Sequence, residues 1–413
     1  MNAVKNKKTE INPIKDLKHL LGDGESLRIR NYPRKNYKQY EELSIHGHLI
    51  YKVPDITKFD EFITPIDQFF IRNHLKAPTI NVKNWKLSLV GNFEKEVTLN
   101  IDDIKKYDQV TRVHLVECTG NQRAEYTIMG NLKSLSMYVN MMSFNQLIRL
   151  LDPRQFKWWM SFLRRTGLRG GNMLSNGVFT GIKLFDLLKD YPLKKGTKEI
   201  IFEGIDKGSE TIIHQLKGKD IHYARSFEIK ELEKYEPILC FEMNGAPLTT
   251  NHGYPVRLII PGIYGHEQVK WLGRIIATTE KFRGYYQTEY YGYKINGETV
   301  PVHEVRPKSA VIKVLRKNNK ITVYGIAWRG MSNIERVDVS IDKAKTWRSA
   351  KLLCKEIDTS WIFWEFILPD NLKGLITIMP RTYCVNGECQ PLKPEKFSAV
   401  YGNNSVFTAV VKL

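Results

Sequence analysis

The 413-residue sequence predicts an α+β domain followed by a small all-β sandwich. Three observations carry that expectation. Over residues 61–302, apolar strand-like runs alternate with short helical patterns. Near residues 300–307 the segment VPVHEVRPKSA, with two prolines, reads as a linker. Beyond it the chain holds only short strand runs between turns: AVIKVLRKNNKITVYGIAW, ERVDVSID, WIFWEFILP, GLITIMPRTYC and SVFTAVVKL. Regular short strands without helices make a sandwich of about 110 residues. The expected divisions are an N-terminal arm over 1–60, a larger domain over 61–302 and the sandwich over 303–413.

Each element has its own signal. Residues 1–60 are polar and rich in Lys, Tyr and Asn, as an extended arm would be, and His46 and His48 there lack partners at ligand spacing. FITPIDQFFIRNHLKAP is an aromatic, strand-like run bracketed by Pro65 and Pro78 and closed by polar side chains. NWKLSLVGNF and TRVHLVECTG read as half-buried and buried strands, and LNIDDIKKYDQ between them as a short helix with an acidic first turn. SLSMYVNMMSFNQLIRLL has apolar residues at helical spacing. In the stretch that follows, Arg149, Arg154, Lys157, Arg164, Arg165 and Arg169 face only Asp152. Residues 131–171 read as a surface helical insert or as a docking patch for an acidic redox partner. IKLFDLLKDYPL is a helix ended by a Tyr-Pro step. TKEIIFEGID is a strand, FEIKELEKY a short helix, and PILCFEMNG and PVRLIIPG are strands.

Composition narrows the class. Hydrophobic residues are 42% and charged residues 26%, which excludes disordered, collagen-like and coiled-coil chains. Sixty-three Lys and Arg against 44 Asp and Glu give +19, which asks for an anionic partner. No apolar run of about 18 residues exists, so no membrane span is expected. The first residues carry no secretory signal; the compartment expected is cytoplasmic, or periplasmic if a leader has been removed. Phosphate-binding glycine loops, a Cys-x-x-Cys-His haem motif and a nucleophile elbow are all missing. No nucleic-acid module surrounds the basic residues, so nucleic acid is not expected. Five cysteines, an odd and sparse number, argue against a disulfide framework. CVNGEC at 384–389 reads as a hairpin with two thiols around an Asn-Gly turn.

One cysteine stands apart. VECTGNQR places Cys118 at the end of a buried strand, with Arg123 five residues on. A thiolate near cations is a good nucleophile or soft-metal ligand, whereas a buried strand-end thiol is the ordinary structural alternative. Arg72, Asn73 and His74 share a tight turn, and His252, Arg257, Lys270 and Arg274 lie among glycines. Such groups on loops suit a large polyanionic cofactor plus a small oxyanion, because the planar fork of arginine matches both.

These segments resemble the sulfite oxidase family of molybdopterin enzymes. FFIRNHLKAP is similar to its Arg-Asn-His motif and VECTGNQR to its Glu-Cys-Ala-Gly-Asn-x-Arg motif. FEGID resembles the segment with a pterin-contacting Asp. EMNGAPLTTNHGYPVRLIIPGIYGHEQVKWLGRI is similar to its Met-Asn-Gly, His-Gly-Tyr-Pro-x-Arg and Val-Lys-Trp-Leu block. GIAWRGMSNIERVDVSIDKAKTW resembles the opening of its immunoglobulin-like dimerisation domain. The resemblance spans about residues 60–413.

The resemblance implies a molybdenum-molybdopterin cofactor with Cys118 as thiolate ligand. Asn73, His74, Asp206, His252, Arg257, Gln268, Val269 and Lys270 would hold the pterin. Arg72, Arg123 and Tyr291 would serve catalysis, with Tyr290 adjacent to Tyr291. It implies oxidation of sulfite to sulfate by oxo transfer, electrons leaving to a separate acceptor such as a cytochrome c, and a homodimer. Alternatives on the same scaffold are a sulfane-sulfur dehydrogenase subunit, a nitrate or sulfoxide reductase, and a non-catalytic binding subunit. Gln122 stands where many members have a second arginine. The second domain lacks the Gly-Gly-Gly-Arg run that often follows Ala-Trp. Arg329 and Arg336 are then the arginines it could offer to the pocket.

Overall fold

The computed structural model of the chain describes residues 24–29, 51–52, 54, 56–122, 173–208, 221–295, 298–395 and 401–413. Arg123, the basic 131–171 segment and most of the 1–60 arm lie outside the described residues.

β1 (Glu25–Ser26) is short and joins the second domain. β2 (Tyr51–Lys52) pairs antiparallel with β3 (Ile71–Arg72), which sets the turn that follows. One sheet of the larger domain contains β4 (Leu87–Gly91) and β5 (Val97–Leu99), extended by β8 (Glu199–Gly208), β9 (Ile221–Glu228) and β13 (Leu272–Thr278) in the order β5-β4-β13-β8-β9. β13 runs parallel to β4 and antiparallel to β8. The other sheet contains β6 (Gln109–Glu117), β7 (Leu174–Lys183), β10 (Ile238–Met243) and β11 (Ala246–Pro247), with β12 (Arg257–Ile259) also on β10.

The helices follow their local chemistry. α1 (Ile101–Lys105) starts with a capping box: Asn100 Oδ1 accepts from the amides of Asp102 and Asp103, and Asp103 reaches back to the Asn100 amide. α2 (Leu184–Asp190) buries Leu184, Leu187 and Leu188 and stops two residues before Pro192. α3 (Ile229–Tyr235) buries Leu232 and Tyr235 and ends at Glu236, which is left-handed at φ 47°.

The aromatic run at 62–78 departs from the expected strand. Pro65 opens a 3-10 turn over Ile66–Gln68, and only Ile71 and Arg72 pair as a strand. The run is apolar because Phe69 and Phe70 fold into the core as a loop.

β14 (Gly292–Ile295) and β15 (Glu298–Pro301) form a hairpin before the second domain. The segment expected as a linker is instead tied down. The Tyr264 amide donates to the His303 carbonyl at 3.0 Å, the Val305 amide to Gly262 at 2.9 Å, and Val302 and Val305 are buried. Its prolines remove donors without removing these bonds.

The second domain is the expected sandwich. One sheet is β1-β16-β17-β21-β20, where β16 is Lys308–Lys317, β17 Lys320–Trp328, β20 Lys351–Leu352 and β21 Ile362–Ile367. The other is β19-β18-β22-β23, with β18 Ile334–Ser340, β19 Arg348–Ser349, β22 Leu375–Cys384 and β23 Ala409–Lys412. Gly325 lies under the Trp364 indole, so a Cβ there would sit 2.0 Å from the ring. Cys384 and Cys389 flank a tight turn as expected, and none of the five cysteines is disulfide-bonded. One apolar cluster runs through both domains, with Phe59 stacked on Trp361 at 5.2 Å, and a second, smaller one holds Phe69 and Phe70. No helix among the described residues is long and apolar enough to cross a membrane.

Candidate active site

The C-terminal end of β6 places Cys118. Residues 113–117 are buried without interruption, so the strand's polar members must find internal partners. Glu117 does so completely. It accepts from Lys308 Nζ at 2.5 Å, Trp328 Nε1 at 2.9 Å and Asn121 Nδ2 at 2.9 Å. Lys308 and Trp328 come from β16 and β17, so the second domain holds the strand end that presents the thiol. The turn is closed by the Cys118 amide on the Met173 carbonyl and the Asn121 amide on the Cys118 carbonyl, both 2.9 Å. Gln122 is buried at φ 61°, and Asn403 Nδ2 donates to its carbonyl.

Cys118 opens into a cleft of about 680 Å³. Arg72, Asn73, His74, Asp206, His252, Arg257, Gln268, Lys270 and Tyr291 all line it. Residues scattered from 72 to 291 thus converge on one surface. Val269 does not line it: its side chain is buried in the main core, its amide donates to Glu267 and its carbonyl accepts from Leu258.

Several groups are braced against one another. Lys270 Nζ donates to Asn73 Oδ1 and to the Asn251 carbonyl, and Asn73 Nδ2 to Asn251 Oδ1 at 3.3 Å. Tyr291 and His74 share a 2.5 Å hydrogen bond between the phenol and Nε2. The His74 ring stacks on Tyr223 at 5.6 Å. His252 meets the edge of Phe69 at 5.4 Å. Gln268 Nε2 donates to the Ile263 carbonyl and to His114 Nε2, both at 2.8 Å. Burial pushes His114 down to about 3, so its ring is neutral and donates from Nδ1 to Thr359.

The cleft is cationic. Arg72, Arg257 and Lys270 line it with Asp206 as the lone acid among the described lining residues. Burial lowers Arg257 to about 10, and burial beside Arg257 holds Lys270 well below its ordinary value. Burial raises Asp206 to about 7, against the pull of Lys270. Arg257 Nε, Asp206 Oδ1 and Gln268 Oε1 are buried and meet no protein partner. Two glycines let backbone come close. Gly253 has φ 102°, and a Cβ would meet the Cβ atoms of Arg257 and Lys270 at 3.0 and 3.1 Å. A Cβ on Gly265 would meet Val116 at 2.9 Å.

The second domain's arginines are elsewhere. Arg329 is buried, but Nε pairs with Glu356 at 2.9 Å and Nη2 donates to the Asp358 carbonyl. Arg336 pairs with Asp338 and Glu335 and stacks on Tyr383. Neither lines the cleft, because each is consumed by acids and aromatics of its own domain. Sequence reasoning also missed His266, Tyr223, Phe69 and Phe70 as lining residues. His266 sat in the glycine-rich block as a readable signal; Tyr223, on an ordinary strand, had none.

Comparison with known proteins follows the same lines. The family model for the oxidoreductase molybdopterin binding domain matches residues 74–146 and 156–286. That for the Mo-co oxidoreductase dimerisation domain matches 290–405. The chain is 28% identical to mitochondrial sulfite oxidase of Mus musculus over 325 residues, 74% of this chain and 52% of that protein. It is 29% identical to the Drosophila melanogaster counterpart over 374 residues, 84% and 58% respectively. The chain spans about half the length of the curated relatives it matches. Its fold is similar to that of the sulfane dehydrogenase SoxCD from Paracoccus pantotrophus, with a TM-score of 0.71 at 21% identity, covering 92% of this chain and 88% of that one. The two matched domains and these relatives place the chain in the sulfite oxidase family of oxidoreductases, whose cofactor is molybdenum-molybdopterin.

Proposed function

We propose that this chain oxidises a small sulfur oxyanion, sulfite in the first place, and passes electrons to a separate acceptor such as a cytochrome c. The observation that carries the reading is the cationic cleft around Cys118, where three cations and three imidazoles face a single carboxyl among the described lining residues. The site suits the family's cofactor on its own chemistry. The orphaned Arg257 Nε and Gln268 Oε1 await polar partners, Gly253 and Gly265 leave room for close approach, and a thiol offers a soft ligand. When bound, the cofactor supplies two-electron oxygen-atom transfer and one-electron reoxidation.

The residues then divide the work. Cys118 would ligate the metal. Asn73, His74, Asp206, His252, Arg257, Gln268 and Lys270 would hold the pterin and its phosphate. Arg72 orients the substrate anion and offsets its charge, with Arg123 proposed beside it. Tyr291, fixed by His74, holds a phenol proton at the cleft wall. Residues 303–413 would form a homodimer.

The test is sulfite-dependent reduction of ferricyanide or cytochrome c by the molybdenum-loaded protein. Robust turnover that Cys118→Ser abolishes supports the reading. Silence toward sulfite at full molybdenum occupancy sinks it. Turnover of nitrate or a sulfoxide in its place would overturn the substrate and keep the cofactor.

A further inference from the structure

Behind the cleft lies a series of titratable groups that the proposed chemistry leaves unused. The 3-10 turn Gly265–Glu267 puts His266 on the cleft wall and Glu267 behind it. His266 Nε2 stands 3.0 Å from Glu267 Oε1 and His303 Nδ1 3.1 Å from the same oxygen, both off hydrogen-bond alignment at rest, so a small ring rotation precedes each transfer. On the far side His303 Nε2 is 3.7 Å from Glu231 Oε1. Side-chain exposure rises along the series, from 3% at His266 and 0% at Glu267 to 16% at His303 and 29% at Glu231. The last member sits in the first turn of α3, at the surface.

The charges around the series keep Glu267 ionised and His266 neutral at rest. Arg225, fully buried on β9, donates from Nε to Glu267 Oε2 at 2.7 Å and from Nη2 to Oε1. Burial by itself would raise the Glu267 carboxyl, but Arg225, His266 and His303 hold it well below the usual range. Burial pushes His266 down to about 4, so its ring is a neutral base at the cleft. Burial would also lower His303, but Glu267 and Glu231 raise it. Burial raises Glu231, with Glu228 and Glu267 adding to it and His303 and Lys234 opposing. The other groups facing the series are few. Tyr223 donates to the His266 carbonyl at 2.6 Å, Tyr291 packs on the His266 ring at 4.1 Å, and Phe227 on the His303 ring at 5.0 Å. Glu304 beside His303 is taken by Lys234 and the Tyr235 hydroxyl.

We propose that His266, Glu267, His303 and Glu231 form a proton relay from the cleft to solvent beside α3. The inference rests on the oxidation reading above. Sulfite plus water yields sulfate, two protons and two electrons. Sulfur is oxidised, the electrons leave singly to a one-electron acceptor of the cytochrome type, and the two protons of the water must leave the cleft. A proton taken up by the His266 ring passes from Nε2 to Glu267 Oε1 and on to His303 Nδ1. The His303 Nε2 proton then leaves to Glu231 and water, and tautomer exchange resets the ring. Each transfer breaks one N–H or O–H bond and makes another, with no change of oxidation state.

Two measurements test it. The first uses the molybdenum-loaded protein with sulfite and cytochrome c. Glu231→Gln at the surface, and His303→Gly, should each slow turnover on the order of ten-fold, leave KM for sulfite in place and raise the solvent deuterium isotope effect. Added imidazole should restore His303→Gly and leave the wild type unchanged. Unchanged rates and isotope effects in Glu231→Gln, or a loss in His303→Gly that imidazole does not repair, would overturn the relay. The second needs no substrate: histidine-ring NMR titration of the full chain, wild type against Glu231→Gln. The relay requires that His303 and His266 titrate as a coupled pair and that both move in the variant. Independent titrations overturn it, even if sulfite proves not to be the substrate. A wild type that ignores sulfite while the coupled titration holds would count against the oxidation reading alone.

Discussion

Replacing Lys308 with Met tests the buried cluster that holds the end of β6. Glu117 and Lys308 have side-chain exposures of 0% and 1%, and their N···O distance is 2.5 Å. Burial alone would neutralise Lys308, and Glu117 opposes that. Lys308→Met leaves the Glu117 carboxylate buried with only Trp328 Nε1 and Asn121 Nδ2 as donors. Breaking a buried pair from one side costs about 3–5 kcal/mol, because the remaining charge is desolvated and uncompensated. For a domain of this size that lowers the melting temperature by on the order of 10 °C. The double variant Glu117→Gln/Lys308→Met removes both charges and leaves an amide oxygen for one of the two donors, which reach different carboxylate oxygens of Glu117. It should recover more than half of the loss, with a coupling energy of about 2–3 kcal/mol in the cycle. Calorimetry of the four proteins gives the numbers. Because Glu117 belongs to one domain and Lys308 and Trp328 to the other, the single variant should also split or broaden the transition. A Lys308→Met protein within about 1 kcal/mol of wild type, or a double variant less stable than the single, would refute the reasoning.

Four further outcomes are expected. Gly253→Ala, at φ 102° and with its new Cβ pressed on Arg257 and Lys270, should cost about 1–3 kcal/mol and weaken inorganic phosphate binding in the cleft, as read by calorimetry. Asp206 has a folded pKa of about 7 against an unfolded value near 3.8, so the folded state binds the extra proton and loses stability as pH rises between those values. Asp206→Asn should therefore gain in melting temperature relative to wild type from pH 5 to pH 8, and a flat difference would contradict the assignment. Arg72→Gln should raise KM for sulfite roughly 10- to 100-fold, the scale of one charge-assisted hydrogen bond. Arg329→Gln should leave KM alone while lowering stability, since its partners are Glu356 and Asp358.

The strands and short helices were legible because their signals are local. The acidic first turn of α1, the buried stretch of β6 and the Tyr-Pro stop after α2 each act within a few residues. Two readings went astray for the same reason. The 62–78 run is aromatic like a strand, but its rings serve a loop buried by other elements. The Pro-rich stretch at 300–310 has linker composition, yet Gly262 and Tyr264 tie it down from far away in sequence. The site was legible as a set of residue types on glycine-rich loops and through the motifs they resemble. Its membership was finer than that: the Val269 side chain is buried in the core and does not line the cleft, and Arg329 and Arg336 were claimed by acids of their own domain.

By itself, the order of residues determined the division into an α+β domain and a sandwich, the thiol at the end of a buried strand, and the excess of cations. Those follow from periodicity, burial preference and charge, which a short window already contains. Tertiary structure alone decided which cations share a cleft and which are spent on ion pairs. It also decided that Lys308 and Trp328 of the second domain hold the strand end before Cys118, and that His266, Glu267, His303 and Glu231 line up toward the surface. Pairings between residues tens to hundreds of positions apart depend on which strands the sheets bring together, and no local pattern encodes that choice.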